Sequence, residues 1–482
     1  MPSYLASIGM EVHAELDTRS KMFCRCPVAF GGEPNTRVCP VCLGLPGSLP
    51  VPNRAATEMV LRTALALNCT IATNSVFHRK NYFYPDLPKG YQVSQYGETN
   101  PIGYAGWIDI PKADGSIKRV RIRRVHLEED TGKLMHLPAG GSGVDFNRSG
   151  VPLMEIVTDF PPDIESAEEA KEYLVQLRST LLYLGVCDGK MEEGSLRCEP
   201  NISVRPEGSA EYGTKTELKN LNSFRSVQLG VRYEIERQIA ALGRGERIRQ
   251  ETRGWHEGRE ESFPMRTKEE ENDYRDYPDP DLGPMAFDEA MRERARTSLP
   301  ELPLAKARRY AEQSGLSAQD CALLTADQAW AEFFEQAVAL GAPPKPVCNW
   351  MNSDFAKRLN EDGIGWKASK ITPAHLVDLV KLIESDAISG KTAKEVFAES
   401  FESGEMPSAV VLAKGLVQIS DRDQIEAAVR EAIEANPASV AKYKSGQTGV
   451  AGFFVGQVMR ATGGQANPGL VQEAVKAALE KV

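Results

Sequence analysis

Tyr4-Leu-Ala-Ser-Ile-Gly-Met-Glu-Val-His-Ala-Glu-Leu16 is the stretch on which the fold turns. Its even positions, Tyr4, Ala6, Ile8, Met10, Val12, Ala14 and Leu16, are apolar, whereas Ser7, Gly9, Glu11, His13 and Glu15 are polar or small. A period of two sends successive side chains to opposite faces, so the run reads as a half-buried strand with Glu11 and His13 on its polar side. Outward from it, Ser195 to Arg205 repeats the pattern: Leu196, Cys198, Ile202 and Val204 face one way, and Arg197, Glu199, Asn201 and Ser203 the other. Lys118 to Asp130 and Val151 to Asp159 read as further strands, with strand character persisting to about Lys219. Ser166 with Glu169 forms a capping-box pattern ahead of Ala170, Tyr173, Leu174, Leu177, Leu181 and Leu184 at helical spacing. Phe224, Val227, Val231, Ile235 and Ile239 make a second helical stripe. The expected class is α+β, with helices packed on a largely antiparallel sheet.

Beyond a Pro-marked stretch, Arg275-Asp-Tyr-Pro-Asp-Pro-Asp-Leu-Gly-Pro284, and a linker at Leu299-Pro-Glu-Leu-Pro303, the pattern turns helical. Three units are expected: residues 1–295, 296–407 and 408–482. In the last, Ile425, Val429 and Ile433 share one helical face, a Gly-rich break spans Gly446 to Gly456, and Val471, Val475 and Leu479 face the core of a closing helix. A chain of 482 residues has ample material for several cores. No segment approaches the roughly 18 apolar residues of a membrane span. The opening residues have neither signal-peptide nor transit-peptide character, so the expected setting is cytoplasmic, without a membrane. A net charge of −10 argues against a broad basic surface for DNA or RNA. The segment from Ser408 onward, with eight Lys/Arg and seven Asp/Glu, is the least acidic portion.

The nine cysteines do not suggest a disulfide framework in such a chain. Cys24-x-Cys26 and, twelve residues on, Cys39-x-x-Cys42 lie in a Pro- and Gly-rich loop, 24–42. Four thiolates so spaced can close on a structural Zn²⁺; four reduced core cysteines are the competing reading, and the loop is too polar to suit them. A second constellation is acidic: Glu11 and His13 on one strand, Glu128, Glu129 and Asp130 at the end of another, and Glu155 interrupting the apolar run Val151-Pro-Leu-Met-Glu-Ile-Val157. A carboxylate in that position must be paired or must bind a cation, and several hard oxygen donors beside a histidine suit Mg²⁺ carrying nucleotide phosphates. Ordinary exposed or ion-paired acids would give the same pattern. Basic residues among aromatics in His78 to Gly90, including Arg79, Lys80 and Lys89, are candidates for contacting ATP, as are Arg197 and Lys215 or Lys219. There is no P-loop and no G-x-G-x-x-G after a strand, so any ATP is held by sheet and metal. Ala139-Gly-Gly-Ser-Gly143 only faintly echoes a serine amidase loop and has no catalytic-lysine motif beside it, which leaves ammonia to be supplied from elsewhere.

Six blocks in order resemble GatB, the B-type component family of the tRNA-dependent amidotransferases: Ile8 to Leu16, Arg79 to Asp86, His126 to Lys133, Asp145 to Val157, Met191 to Arg197 and Glu217 to Phe224. The resemblance spans the whole length. It implies a catalytic cradle related to glutamine synthetase and guanidino kinases, then a helical domain and a small all-α YqeY-like tail. It implies ATP-dependent phosphorylation of the side-chain carboxylate of Glu on mischarged tRNA(Gln), or of Asp on tRNA(Asn). Displacement of the phosphate by ammonia then gives Gln-tRNA(Gln) or Asn-tRNA(Asn). The ammonia would come from a GatA-type amidase subunit, with a GatC-type subunit linking the two. By the same resemblance Glu11, His13, Glu128, Glu129 and Glu155 take the Mg²⁺ role, with Glu11, His13 and Glu155 at the centre of catalysis. Two alternatives are a stand-alone amide ligase acting on a small acid and a non-catalytic, zinc-stabilised RNA-binding scaffold.

Overall fold

The computed structural model describes residues 3–95, 101–137, 140–267, 275–416, 418, 421–463 and 465–481. Ala139, of the faint amidase-like stretch, lies outside these residues. The chain divides into two compact units, residues 1–306 and 307–482.

The first unit is built on a nine-stranded sheet. In chain order its strands are β1 (Tyr4–Glu15), β2 (Thr70–Ile71), β3 (Gly103–Pro111), β4 (Ile117–Glu129), β5 (Pro152–Thr158), β6 (Leu196–Pro206), β7 (Thr216–Lys219), β8 (Glu251–His256) and β9 (Glu261–Thr267). They lie in the order β9-β8-β7-β6-β1-β5-β4-β3-β2. The stretch that opens the sequence is thus the central strand, paired antiparallel with β5 on one side and β6 on the other. Its apolar side chains Ile8, Met10, Val12 and Ala14 are buried with Met154 and Ile156 of β5 and Cys198 and Ile202 of β6. Three helices enter the same core: α1 (Arg54–Ala66), α2 (Ala167–Leu184) and α3 (Phe224–Gly243). Tyr173, Leu174, Leu177 and Leu181 of α2 are wholly buried there, each side chain of that size contributing about 1.5–3 kcal/mol of transfer free energy.

Three local features depart from the sequence reading. Ser166 Oγ caps α2 by accepting from Glu169 N at 3.2 Å, but the Glu169 carboxylate accepts from Glu165 N and pairs with Lys118, so the box is only half formed. Strand structure continues past Lys219: β7 runs through α3 into β8, the one parallel pair in this sheet among the described residues, and β9 closes that edge. On α3 Val227 and Val231 are buried and Phe224 and Ile235 pack against the same core, but Ile239 does not, and Glu234 and Gln238 are buried beside them. Glu234 is tolerated there because Arg237, Gln238 and Ser262 all donate to it.

In β4 the core positions change parity, from Val120 and Ile122 to Val125 and Leu127. The change falls where pairing with β5 slips by one residue between Val157 and Thr158, and where the neighbouring β3 carries Ala105 at φ +50°. Such an irregularity rotates the strand about its axis, and it turns Arg124, His126 and Glu128 onto the polar face shared by Glu11 and His13. Thr158 Oγ1 stitches this point to β1, accepting from Met10 N at 2.8 Å.

The second unit is helical and holds two apolar clusters. One gathers Phe333, Phe334, Phe355, Leu376 and Phe397, and takes in Val410 and Val411. The other sets Ile425, Val429 and Ile433 against Phe454, Val458, Val471, Val475 and Leu479. The Gly-rich break is shorter than expected: a helix, Ala451–Ala461, already includes Gly452 and Gly456, because Phe454 and Val458 bury on one of its sides. No helix among the described residues is long and apolar enough to cross a membrane.

Candidate active site

Register assembles the site from strands far apart in sequence. His13 of β1 lies opposite Glu155 of β5 and Arg197 of β6, and Glu155 lies opposite His126 of β4. His13 Nε2 stands 3.5 Å from Glu128 Oε1, 3.6 Å from Glu155 Oε2 and 4.0 Å from Glu11 Oε1. His126 Nε2 is 3.2 Å from Glu155 Oε2 and 3.8 Å from Glu128 Oε2, and Arg124 reaches Glu155 Oε1 at 3.3 Å. Glu128 also accepts from Ser94 Oγ. Glu128 and Glu155 are buried, while Glu11 opens toward solvent.

Three carboxylates this close repel one another, and their surroundings divide the charge unevenly. Burial and the neighbouring Glu155 push Glu11 up to about 7, against the pull of His13. Burial raises Glu155 too, but His126 and His13 outweigh it and hold it well below the usual carboxylate range. Burial lowers His13, yet its hydrogen bond and charge interaction with Glu155, with Glu128 and Glu11 behind, leave it raised to about 9. His126 is raised in the same way. The cluster is therefore balanced by His13, His126 and Arg124, as buried acids require. Its ligand atoms fall into two overlapping sets, Glu11/His13/Glu155 and His126/Glu128/Glu155, each within 4.8 Å. An oxygen-rich set of this size suits a hard divalent cation that also carries phosphate.

Cations flank the cluster on the same face. Arg197 donates to Asp130 at 2.6 Å, while its Nε is buried without a hydrogen-bond partner. Burial raises Asp130, but Arg197 and Arg148 more than reverse this; desolvation of the half-buried Glu15, with the neighbouring Asp130, pushes its carboxyl up to about 8. Lys219 of β7 lies 2.5 Å from Glu199 and 3.6 Å from Glu217. Lys215 precedes β7 and is exposed.

Glu129 is not part of this cluster. It follows Glu128 on β4 and points to the other side, where its Oε1 accepts from Val93 N at 3.0 Å and pairs with Lys89. Lys89, Glu129, Tyr91, Asp279 and Asp281 help to line a separate pocket whose other walls include Cys24 and Cys42 of the cysteine loop, Leu45, Pro50 and Gly150. Arg79 stands next to it, bound to Asp279 at 2.7 Å and Asp281 at 2.9 Å and stacked 4.4 Å from the Tyr91 ring. Lys80 alternates away from Arg79 on its short strand, His78–Asn81, and is half-buried. Arg79 and Lys89 are thus held by Asp279, Asp281 and Glu129, apart from the acid cluster, whereas Arg197 and Lys219 pair with acids on its face.

The sulfurs of Cys24, Cys26, Cys39 and Cys42 lie within 4.8 Å of one another, and those of Cys39 and Cys42 are 3.9 Å apart. Zn–S bonds of about 2.3 Å in a tetrahedron place sulfurs about 3.8 Å apart, so the donors fit zinc in type and spacing. A hydrogen bond from Cys24, aided by Cys39 N–H and Lys21, pulls the Cys42 thiol down to about 4, although burial opposes it.

A family model described as the GatB/GatE catalytic domain matches residues 6–293, and a GatB domain model matches residues 332–479. The chain belongs to the GatB/GatE family. A protein of Brevibacillus brevis is 50% identical over 483 residues, covering 100% of both chains. One of Thermodesulfovibrio yellowstonii is 51% identical and one of Nitratidesulfovibrio vulgaris 52%, each with 98% of both chains covered. All three are named as the B-type component of an aspartyl/glutamyl-tRNA(Asn/Gln) amidotransferase.

For a GatB/GatE catalytic domain, the sequence reading missed His126 and Arg124 as members of the acid cluster, and Glu15, Glu199 and Glu217 as its neighbours. The alternation His126-x-Glu128 on a strand was the available signal for the first. Glu199 and Glu15 sit two residues from Arg197 and His13, so period two alone places them on the same face.

Proposed function

We propose that the chain is the activating component of a tRNA-dependent amidotransferase, using ATP to phosphorylate the side-chain carboxylate of Glu on tRNA(Gln) or Asp on tRNA(Asn). One carboxylate oxygen attacks the γ-phosphorus and ADP leaves; ammonia then attacks the acyl carbon, phosphate leaves, and the amide loses a proton to solvent. The observation that carries this reading is the convergence of Glu11, His13, Glu128 and Glu155 on one open face of the central strands, in a family whose relatives are named for this reaction. Glu11, His13, Glu128 and Glu155 would hold Mg²⁺, His13 giving up its proton as the cation takes over the balancing of the acids, and the Mg²⁺ would neutralise the charge on the transferring phosphoryl group. Arg197 reaches into the same face with a spare Nε–H, a donor suited to a phosphoryl or carboxylate oxygen. Arg124 and His126 position Glu155. Lys219, anchored by Glu199, adds positive charge on the β7 side.

The partners that go with this reading are a GatA-type amidase, which releases ammonia from glutamine and passes it across, and a GatC-type linker, in a cytoplasmic heterotrimer. The sheet with its polar hollow is read as a glutamine synthetase-like cradle over residues 1–295, followed by a helical domain and a YqeY-like tail that hold the tRNA. Zinc at the four cysteines is structural, since four sulfurs leave no position for water.

The test is Mg²⁺-dependent ATP hydrolysis by the reconstituted heterotrimer, with and without Glu-tRNA(Gln), for wild type and Glu11→Ala. Turnover that needs the mischarged tRNA and disappears in the variant supports the assignment. Turnover indifferent to RNA points to an amide ligase acting on a free acid.

A further inference from the structure

Lys21 is 1% exposed, and its ammonium lies between Cys42 of the cysteine loop and the backbone at Phe146. Its Nζ lies 3.7 Å from Cys42 Sγ and donates to the Phe146 carbonyl oxygen at 3.1 Å. Among the described residues no carboxylate stands within ion-pair distance of it, in contrast to Lys89 across the same pocket, which has Glu129. An ammonium withdrawn from water without a counter-charge is strongly unfavourable, so a burial this complete calls for an anion next to it. Four protonated thiols supply none. Four thiolates on Zn²⁺ leave a net charge of −2 beside the Lys21 nitrogen.

We propose that Lys21 is the built-in counter-ion of a zinc tetrathiolate at Cys24, Cys26, Cys39 and Cys42, an inference that rests on the zinc reading given above. The geometry around Lys21 supports it from two further directions. Its backbone N–H donates to Cys26 O at 2.9 Å while its side chain reaches Cys42, so one residue ties together the two cysteine pairs that must converge on the metal. Cys42, the buried member of the four, also accepts from Cys39 N–H at 3.1 Å, and two donors on one sulfur fit a thiolate better than a thiol. The chain at Gly150 passes close by at φ +84°; a Cβ there would lie 3.6 Å from Cys42 Cβ, 3.7 Å from Lys21 Cδ and 3.8 Å from Glu129 Oε2, a carboxylate already paired with Lys89.

The experiment is a competition titration of zinc between a chromogenic chelator and the full-length chain, comparing wild type with Lys21→Met, Lys21→Gln and Lys21→Arg. Met removes both charge and donor, Gln keeps a donor for Phe146, and Arg keeps the charge. Removing a polar partner of a metal ligand typically weakens binding about 10–100-fold, and that is the loss expected for Met and Gln, with Arg restoring most of the affinity. Met and Gln variants that hold zinc as tightly as wild type overturn the counter-ion role and leave the zinc reading intact. A wild-type chain that takes up no zinc overturns the zinc reading beneath it. If Met does not fold in excess zinc, Gln against Arg decides: equal weakness in the two means that fit, not charge, is what Lys21 supplies.

Discussion

The acid cluster and the cysteine module differ in how their parts are brought together. Cys24, Cys26, Cys39 and Cys42 lie within one loop, and their convergence needs only that loop to fold back on itself. Glu11, His13, Glu128 and Glu155 come from three strands, and they meet only because β1, β4 and β5 pair in one particular register. A local site is vulnerable to whatever strips its ligands; a site made by register is vulnerable to anything that moves one strand against another. Glu128 and Glu129 sharpen the contrast, for neighbours in sequence serve the two regions separately: Glu128 faces His13, and Glu129 faces Lys89 and the cysteine-walled pocket.

The largest effect that tests this contrast is expected at the centre of the register-made site. Glu155→Ala should lower kcat for transamidation by about 100–1000-fold, the scale set by losing a preorganised electrostatic group, while assembly with the amidase and its glutaminase activity remain. Glutaminase lost through dissociation would mean that Glu155 supports the fold and not the chemistry. Next comes the neighbouring pair. Glu128→Gln should raise the Mg²⁺ concentration needed for half-maximal ATP turnover by about 10-fold or more, and Glu129→Gln should leave it unchanged; equal shifts in the two titrations would break the division between the faces of β4. Core packing provides a reference of known size. Leu177→Ala on α2 should cost about 2–5 kcal/mol in chemical denaturation of the first unit and weaken both regions together. Cys42→Ser should abolish zinc retention, measured by metal analysis, and lower the thermal midpoint, yet the folded fraction should keep a wild-type Mg²⁺ dependence. The smallest effect is at the stitch between β1 and β5. Thr158→Val removes the hydroxyl that holds Met10 N and should cost about 0.5–1.5 kcal/mol, with a modest rise in the Mg²⁺ requirement.

Much of this was legible in the sequence, for reasons that differ by element. β1 and β6 alternate cleanly because each has one wet and one dry face, so the central polar surface and its residues Glu11, His13 and Arg197 could be read directly. The four cysteines were legible from spacing alone. β7 falls within the strand character expected up to Lys219, but β8 and β9 were not legible: β8 buries Thr252 and Arg253, and β9 contains Pro264. The burial of Glu234 and Gln238 on α3 was not legible, because they look like solvent residues until Arg237, Ser262 and Thr216 are seen around them. Whether Glu128 or Glu129 belongs with His13 depends on a change of parity within one strand, which the pairing with β5 reveals.

That change of parity gives β4 something like a reading frame. Upstream of Arg123 the even-numbered residues go inward, and downstream of it the odd-numbered ones do, so a single position converts one frame into the other. Exchanging the side chain at Arg123 leaves the frame intact. Deleting the residue would bring Ile122, Val125 and Leu127 into one unbroken alternation and keep His126 and Glu128 on the polar face, whereas drawing Arg123 into the pleat without losing a residue would turn Val125 and Leu127 to water, a one-residue slip that inverts that half of the strand. What the strand is held to is thus the pattern of its two faces and not the residue in the bulge: position 123 can change its letter, and a loss of one residue there is the length change that both faces survive.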